Sequence, residues 1–325
     1  MSEKYNWAIL GTGAVANRFA KALANITDQA ELVAVGSRTQ ASAEKFAEVY
    51  GIPAAHGSYQ ALADDPNVDI VYIGTPHPFH HRDAKMCLEA GKHVLCEKAF
   101  TMNAEEAEDL IKTAREKKLF LMEAMWTRFF PVQVKVRELL AEGAIGDPQG
   151  LNIHHNYVGL PELPDAYPNE LGMGTFMDQA PYGMGLAFSI LGPPIRTTGI
   201  GTFGARGLNL QVSGVFEHDG GRLTTWMASR TTYDVKDVVI AGSEGKIEIH
   251  SAWYKPTAMT LYVKGKDPEF IEFPLDGYVG YEYEAMEVMN CIREGKIESE
   301  IMPLDETLAI METMDTMRVE WGFGK

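Results

Sequence analysis

Cysteine is scarce in this chain of 325 residues: Cys87, Cys96 and Cys291 are odd in number, widely spaced and form no C-x-x-C pair. That argues against a disulfide framework and against a cysteine zinc site. Long hydrophobic runs are missing too. No stretch reaches the roughly 18 uninterrupted apolar residues of a membrane span, and the most apolar segment, Ala180 to Leu191, is broken by glycines and a serine. The opening MSEKYNW lacks the apolar core of a secretion signal, so a cytoplasmic protein is expected. Positive charge is in short supply, with 29 Lys and Arg against 45 Asp and Glu, a net charge of −16. Such a surface repels phosphate backbones and anionic lipid, so neither nucleic acid nor membrane is an expected partner, although a local basic pocket could hold a small phosphate. No fixed-period repeat and no low-complexity tract is present. What remains is an ordinary globular composition, 46% hydrophobic and 23% charged, on a chain long enough for two domains.

The first third alternates apolar runs with helical patterns. Trp7–Leu10, Glu31–Gly36, Asp69–Gly74, His93–Cys96 and Leu119–Met122 read as strands; Ala41–Tyr50, His80–Ala90 and Asn103–Lys118 read as helices, and another comes directly after the first strand. Strand and helix in alternation predict a parallel sheet with right-handed crossovers. Beyond the turn-rich EGAIGDPQG, strands dominate: 151–158, 197–203, 210–217, 223–229, 235–241, 245–250, 259–263 and 270–273. His218-Asp219-Gly220-Gly221 supplies hairpin chemistry between two of them. One helix, 178–191, interrupts this series, and helices 281–294 and 304–319 close the chain. The expected fold is therefore α/β: a Rossmann domain over 1–122, then an α+β domain over 123–325 with a large, mostly antiparallel sheet, the last helix being free to pack back on the first domain.

Gly11-Thr12-Gly13-Ala14-Val15-Ala16 stands where the first strand meets the first helix, a G-x-G-x-x-A form of the dinucleotide fingerprint. Gly11 permits the tight turn, Gly13 lets backbone approach a pyrophosphate, Ala16 lets helix and strand pack closely, and the helix N-terminus offers its N–H groups to phosphate. At the end of the second strand an NAD enzyme commonly carries Asp or Glu for the ribose hydroxyls. Here the residues are Ser37-Arg38-Thr39, and Glu31 lies too early. Arg38 can fork onto a 2′-phosphate, which favours NADP over NAD; a solvated surface arginine is the alternative. Thr75-Pro76-His77 leaves the third strand at the ligand-binding edge and could line the nicotinamide or simply begin a helix.

Glu97 and Lys98 leave the next strand at that same edge. A lysine there can take or supply the proton of a hydroxyl that gives up hydride, or can polarise its oxygen; taken alone it better suits the surface. Asp178 and Tyr182, four apart at the start of a helix, would share a face, and the pair could orient a hydroxyl and pass its proton. Asp178 also suits an N-cap, and Tyr182 a packing role. Trp126 and Arg128 (with Phe129) come after the 119–122 strand and Trp253 lies among the later strands; such side chains could wall a pocket for a flat sugar or diol face or could simply pack between domains. His77, His80 and His81 share a helix face, yet no third ligand is evident outside the cluster and no metal is expected. His154 and His155 are neighbours on a strand, so they point to opposite faces and cannot both serve one site.

Taken together, GTGAVA, EKA at Glu97–Ala99 and DQAPY at Asp178–Tyr182 resemble the signatures of the Gfo/Idh/MocA oxidoreductases. GSYQALADDPNVDIVYIGTPHPFH, GKHVLCEKAFTMNAEEA and LFLMEAMWTRFFP are most similar to the dimeric dihydrodiol dehydrogenases and NADP-dependent D-xylose dehydrogenases within that family. The resemblance covers most of the chain and implies NADP, catalytic roles for Lys98 and Tyr182 with Asp178 in support, and a homodimer formed through the second-domain sheet. Ala99 stands where the family has proline, and Ala180 where it has glycine. The expected function is hydride transfer between a nicotinamide and a small polyhydroxylated molecule, an aldose or a cyclic trans-diol. A keto-sugar or inositol substrate, or an NADP(H)-sensing protein without turnover, are the alternatives.

Overall fold

The computed structural model describes residues 4–158, 174–204 and 208–322. The first strands and helices are β1 (Tyr5–Leu10), α1 (Ala14–Leu23), β2 (Ala30–Gly36), α2 (Gln40–Tyr50), β3 (Ala54–His56), α3 (Tyr59–Ala63), β4 (Ile70–Ile73), α4 (His80–Glu89), β5 (His93–Glu97), α5 (Ala104–Lys117) and β6 (Leu121–Ala124). All six strands pair in parallel in the order β3-β2-β1-β4-β5-β6. The order reverses between β1 and β4, and in such sheets the crevice beyond the carboxyl ends of the strands at that reversal is where dinucleotides bind.

Local chemistry accounts for the helix boundaries. Thr39 caps α2 by accepting from the Ser42 N–H, and Gly51 ends that helix at φ +67°. Ser58 caps α3 and Asn103 caps α5 in the same way. Each capping oxygen satisfies one of the N–H groups that a helix start leaves over. The core between sheet and helices is built on Trp7, Phe19 and Tyr72, all fully buried, with the Phe19 and Tyr72 rings stacked at 3.8 Å.

The chain continues through α6 (Pro131–Ala141), β7 (Pro148–Asn156), α7 (Thr175–Asp178), α8 (Ala180–Leu191), β8 (Pro194–Phe203), β9 (Asn209–His218), β10 (Leu223–Ser229), β11 (Val238–Gly242), β12 (Gly245–Ile249), β13 (Ala258–Val263), β14 (Glu269–Glu272), α9 (Tyr281–Arg293) and α10 (Leu304–Glu320). Strands β7 to β14 form one sheet in the order β14-β13-β12-β11-β7-β10-β9-β8, antiparallel except where β10 runs parallel to β7. The β9–β10 hairpin turns through Asp219-Gly220-Gly221, with both glycines at positive φ as the sequence leads one to expect. Along β9, Val212 and Phe216 face inward while Ser213 and Val215 face out, the alternation of a sheet covered on one side. No helix among the described residues is long and apolar enough to cross a membrane.

Two compact units result, 1–126 with 275–308 and 127–274 with 309–325. The division differs from the expected 1–122 and 123–325 because residues 275–308, including α9, return to the first unit. Three elements escaped the sequence reading: β3, α3 and α6. In PVQVKVRELLA, valines alternate with polar residues at period two, the signature of a strand, yet Val132 and Val136 are buried at the i, i+4 spacing of a helix and Val134 is exposed. The expected helix 178–191 is α8, which starts at Ala180; Asp178 instead ends the separate short helix α7, Gln179 divides the two, and Pro181 falls in the first turn of α8, where a missing N–H costs nothing.

Candidate active site

In the first unit the glycine loop lies between β1 and α1. Gly11 sits at φ +107°, and a Cβ placed there would stand 2.9 Å from the Gly74 carbonyl oxygen, so both conformation and space demand glycine. Gly13 caps α1 with no side chain on the first N–H groups, and a Cβ on it would meet nothing within 4 Å. The helix start, with Ala14 and Val15 as its first residues, therefore opens on empty space, which fits a pyrophosphate. Ala16 is fully buried, as close helix–strand packing needs. The Thr12 and Ser37 hydroxyls stand 3.5 Å apart, joining this loop to the end of β2. Arg38 comes next in the chain, exposed. Nearby, burial and then Asp83 push the Tyr59 phenol up, while the positive charges of Arg38 and Arg82 oppose them.

The ends of β4 and β5 are tied together by histidines. His77 Nε2 lies 3.2 Å from the Lys98 carbonyl oxygen. His80 is buried, with Nδ1 2.9 Å from the Ala99 oxygen and Nε2 2.7 Å from the Thr75 oxygen. Burial holds the His80 pKa below the usual imidazole value, against the pull of those carbonyls. The Thr75 hydroxyl donates to buried Asp83 at 2.9 Å, and Arg82 pairs with the same carboxylate at 2.7 Å. His81 turns away to Asp109 at 2.6 Å. The three histidines thus serve different partners. His77 and His80 set the turn that carries Lys98, which is itself buried and precedes a cis Lys98–Ala99 peptide bond. Pro76 leads into the short 3₁₀ turn that carries His77. Glu97 is buried beneath this turn and accepts a very short hydrogen bond from the Tyr72 hydroxyl. Trp126 stacks on Tyr281 of α9 at 4.4 Å.

In the second unit Tyr182 stands in the first turn of α8, half-buried. Its ring lies 5.3 Å from that of His155 and 6.1 Å from that of Tyr254. His155 and Tyr254 stack at 4.8 Å. Asp178 ends α7, so it does not share a helix with Tyr182 as the sequence spacing suggests, nor is it the N-cap of α8; its carboxylate pairs with Arg230. Arg128 is buried and donates to the Gly185 carbonyl oxygen. Trp253 is completely buried, donates its indole N–H to the His154 oxygen at 2.8 Å and stands behind His155 at 5.8 Å, rather than forming a wall itself. The adjacent histidines do part as expected: His154 pairs with Asp237 on the outer side, and His155 enters the aromatic cluster with Tyr182. Sequence reasoning separated the two faces and had no signal for which of them held the site. Nothing local in the sequence points to Tyr254 or Tyr281 either, since each meets its neighbours across long stretches of chain.

The model of the oxidoreductase family with an NAD-binding Rossmann fold (Gfo/Idh/MocA) matches residues 5–125, and the model of that family's C-terminal domain matches 134–248. The chain belongs to the Gfo/Idh/MocA oxidoreductases. It is 35% identical over 321 residues to trans-1,2-dihydrobenzene-1,2-diol dehydrogenase of Xenopus laevis, covering 95% of this chain and 96% of that protein. The fold is also that of the 3-ketoreductase KijD10 of Actinomadura kijaniata, solved with NADP and TDP-benzene (TM-score 0.85, 22% identity, 98% of both chains). The aldose-aldose oxidoreductase of Caulobacter crescentus, complexed with glycerol, has a TM-score of 0.86 at 23% identity over 99% of both chains. The protein is accordingly an NAD(P)-dependent dehydrogenase or reductase acting on CH–OH groups, and its Gly11–Ala16 loop belongs to the matched nucleotide-binding domain.

Proposed function

We propose that this oxidoreductase uses NADP and transfers hydride between the nicotinamide and a small polyhydroxylated molecule, an aldose or a cyclic trans-diol. The observation that carries the reading is the clamped turn at Lys98. An amine at the carboxyl edge of the sheet, on a backbone held by His77 and His80, is preorganised for work on a ligand at the dinucleotide crevice. The relative named for a diol, alike over nearly the whole chain, supports the substrate class.

The residues after β2 favour NADP over NAD. No carboxylate stands there to hold a free ribose 2′-hydroxyl, while Arg38 and Ser37 offer a fork of donors and a hydroxyl to a 2′-phosphate, the Thr39 hydroxyl being engaged in the cap of α2. Gly11, Gly13 and the first turn of α1 with Ala14, Val15 and Ala16 would hold the pyrophosphate, and Thr75, Pro76, His77 and Glu97 would flank the nicotinamide side. The bound dinucleotide supplies the hydride acceptor or donor. Lys98 takes the hydroxyl proton in oxidation, or donates a hydrogen bond to the carbonyl oxygen in reduction. Tyr182 is the second proton-handling group, and Asp178, held by Arg230, orients a hydroxyl of the substrate. Trp126 presents an apolar face to the ring, and Arg128 and Trp253 brace the second unit.

The sheet of the second unit turns an outer face to solvent that carries Ile200, Val215 and Leu223, each exposed. Pairing of two chains through this face would cover it, and the solution mass should be that of a homodimer.

The test is absorbance at the reduced-nicotinamide band with a panel of aldoses and cyclic diols, run on the wild type and on Lys98→Met. The wild type should turn over at least one of them. The variant should lose turnover by about 10²-fold or more with its NADP affinity nearly unchanged. NADP binding without hydride transfer to or from any member of the panel would replace this reading with that of an NADP(H) sensor.

A further inference from the structure

The glycine loop is held from behind by two side chains that the proposed function does not use. Asn17 is the fourth residue of α1, and Tyr50 is the last residue of α2. The Tyr50 hydroxyl donates to Asn17 Oδ1 at 2.7 Å and lies 3.3 Å from the Asn17 carbonyl oxygen as well. The same side-chain amide, through Nδ2, donates to the Gly13 carbonyl oxygen at 2.7 Å. That oxygen also accepts the main-chain N–H of Asn17 at 3.1 Å, so one residue engages both of its lone pairs. The Tyr50 ring is itself seated against Phe46, one turn earlier in α2, with ring centroids 4.8 Å apart. A chain of hydrogen bonds thus runs from the end of α2 to the residue at which α1 begins.

Helix formation does not explain this arrangement. Asn is a poor helix former, because its amide competes for backbone groups. Folded back onto the carbonyl four residues earlier, it adds a second donor to an oxygen that the helix already satisfies. Only one orientation of the amide works. Turned over, its oxygen would face the Gly13 oxygen at 2.7 Å, acceptor against acceptor.

The consequence lies in the peptide unit that joins Gly13 to Ala14. A trans peptide is planar, so its C=O and N–H point in opposite directions and turn together. Gly13 has no side chain to restrain that plane, and a Cβ there would meet nothing within 4 Å. The Ala14 N–H is one of the donors that the start of α1 leaves for an anion. Two bonds on the Gly13 oxygen set the direction of that N–H before a nucleotide arrives. They also polarise the amide, which makes it a stronger donor.

We propose that Asn17, braced by Tyr50, is a positioning residue for the cofactor: it holds the Gly13–Ala14 peptide in the orientation that receives the dinucleotide pyrophosphate. Gly13 gives the phosphates room at the expense of rigidity, and Asn17 restores the rigidity from the opposite side of the same peptide. The pyrophosphate is common to NAD and NADP, so Asn17 raises the affinity for both and does not choose between them. The role rests on the reading of the Gly11–Ala16 loop as the pyrophosphate site.

The test is calorimetric titration of the full chain with NADP and with NAD, on the wild type, Asn17→Ala, Tyr50→Phe, the double variant and Gly13→Ala. Asn17→Ala should weaken NADP binding by about five- to tenfold, the usual value of one hydrogen bond, and NAD binding by the same factor. Tyr50→Phe keeps the ring against Phe46 and removes only the hydroxyl; it should weaken both by about two- to fivefold. Added to Asn17→Ala, it should have little further effect, because Tyr50 acts through Asn17. The nucleotide-free Asn17→Ala protein should melt as the wild type does. Ala is the better helix former, and the Tyr50 hydroxyl keeps the main-chain oxygen of residue 17 as an acceptor. A contact that merely tied α2 to α1 would do the reverse, lowering that melting temperature and leaving affinity alone. Wild-type affinity in Asn17→Ala, a loss confined to one nucleotide, or an undiminished effect of Tyr50→Phe in the absence of Asn17 would overturn the proposal. Should Asn17→Ala bind as the wild type does while Gly13→Ala binds poorly, the positioning role fails and the loop reading stands. Should Gly13→Ala bind as the wild type does, the loop reading fails and the proposal falls with it.

Discussion

The imidazole of His80 bridges two strand ends, with Nδ1 2.9 Å from the Ala99 carbonyl oxygen and Nε2 2.7 Å from that of Thr75. Burial holds its pKa below the ordinary 6.5, so the folded protein binds this proton less readily than the unfolded chain does, and the neutral ring can donate to only one of the two carbonyls. The stability this contributes is complete above pH 6.5 and is lost as pH falls through the window down to the folded-state value. His80→Leu should remove that slope and should destabilise by about 2–4 kcal/mol, since it strands a buried carbonyl. Denaturant titrations of both proteins at pH 5 and pH 7.5 measure both effects.

At the end of β2 the expected signature is a split between cofactors. Arg38→Ala should weaken NADP binding by about 10- to 100-fold, the value of one charge-assisted hydrogen-bond pair, and leave NAD binding nearly as it was. Fluorescence titration with the two nucleotides checks this. Equal losses for both would assign Arg38 to the surface.

The two loop glycines should fail in different ways. Gly11→Ala puts a side chain at φ +107° and 2.9 Å from a carbonyl oxygen, so stability should fall by about 1–3 kcal/mol. A Cβ on Gly13 meets nothing within 4 Å, so Gly13→Ala should melt as the wild type does and still bind nucleotide poorly. Melting curves with and without NADP separate the two.

In the second unit Tyr182 lies against His155, which itself stacks on Tyr254. Tyr182→Phe should lower kcat by about 10²-fold, the usual value of a positioned proton donor, with little change in KM. His155→Leu removes the ring that borders Tyr182 and should lower kcat less, with Tyr182 still able to donate. Steady-state kinetics on the best substrate of the panel reads both.

The fold was legible wherever local pattern and burial agree. The Trp7–Leu10 run of β1, the Ile70–Ile73 run of β4 and the Val94–Cys96 run of β5 are apolar because parallel strands are covered on both faces, and the Gly51 and Gly220-Gly221 stops mark positive φ. α6 was hidden because its alternating valines imitate a strand. The break at Gln179 was hidden because Asp178 suits the N-cap of the helix that runs to Leu191, whereas it ends the short helix before it. The glycine loop could be picked out by its place between a strand and a helix, whereas Lys98 and Tyr182 were singled out only through the family resemblance, since position alone also suits a surface or packing role. His155 and Tyr254 could not be picked out, because what distinguishes them is the company they keep, and those neighbours are distant in the chain.

One measurement bears most directly on the central claim: a crystal structure of the protein with NADP and a substrate of the panel. The account predicts the Lys98 amine and the Tyr182 phenol both within hydrogen-bond reach of the reacting oxygen, with the nicotinamide C4 beside the carbon that bears it. A complex in which either group faces away from that oxygen would contradict it.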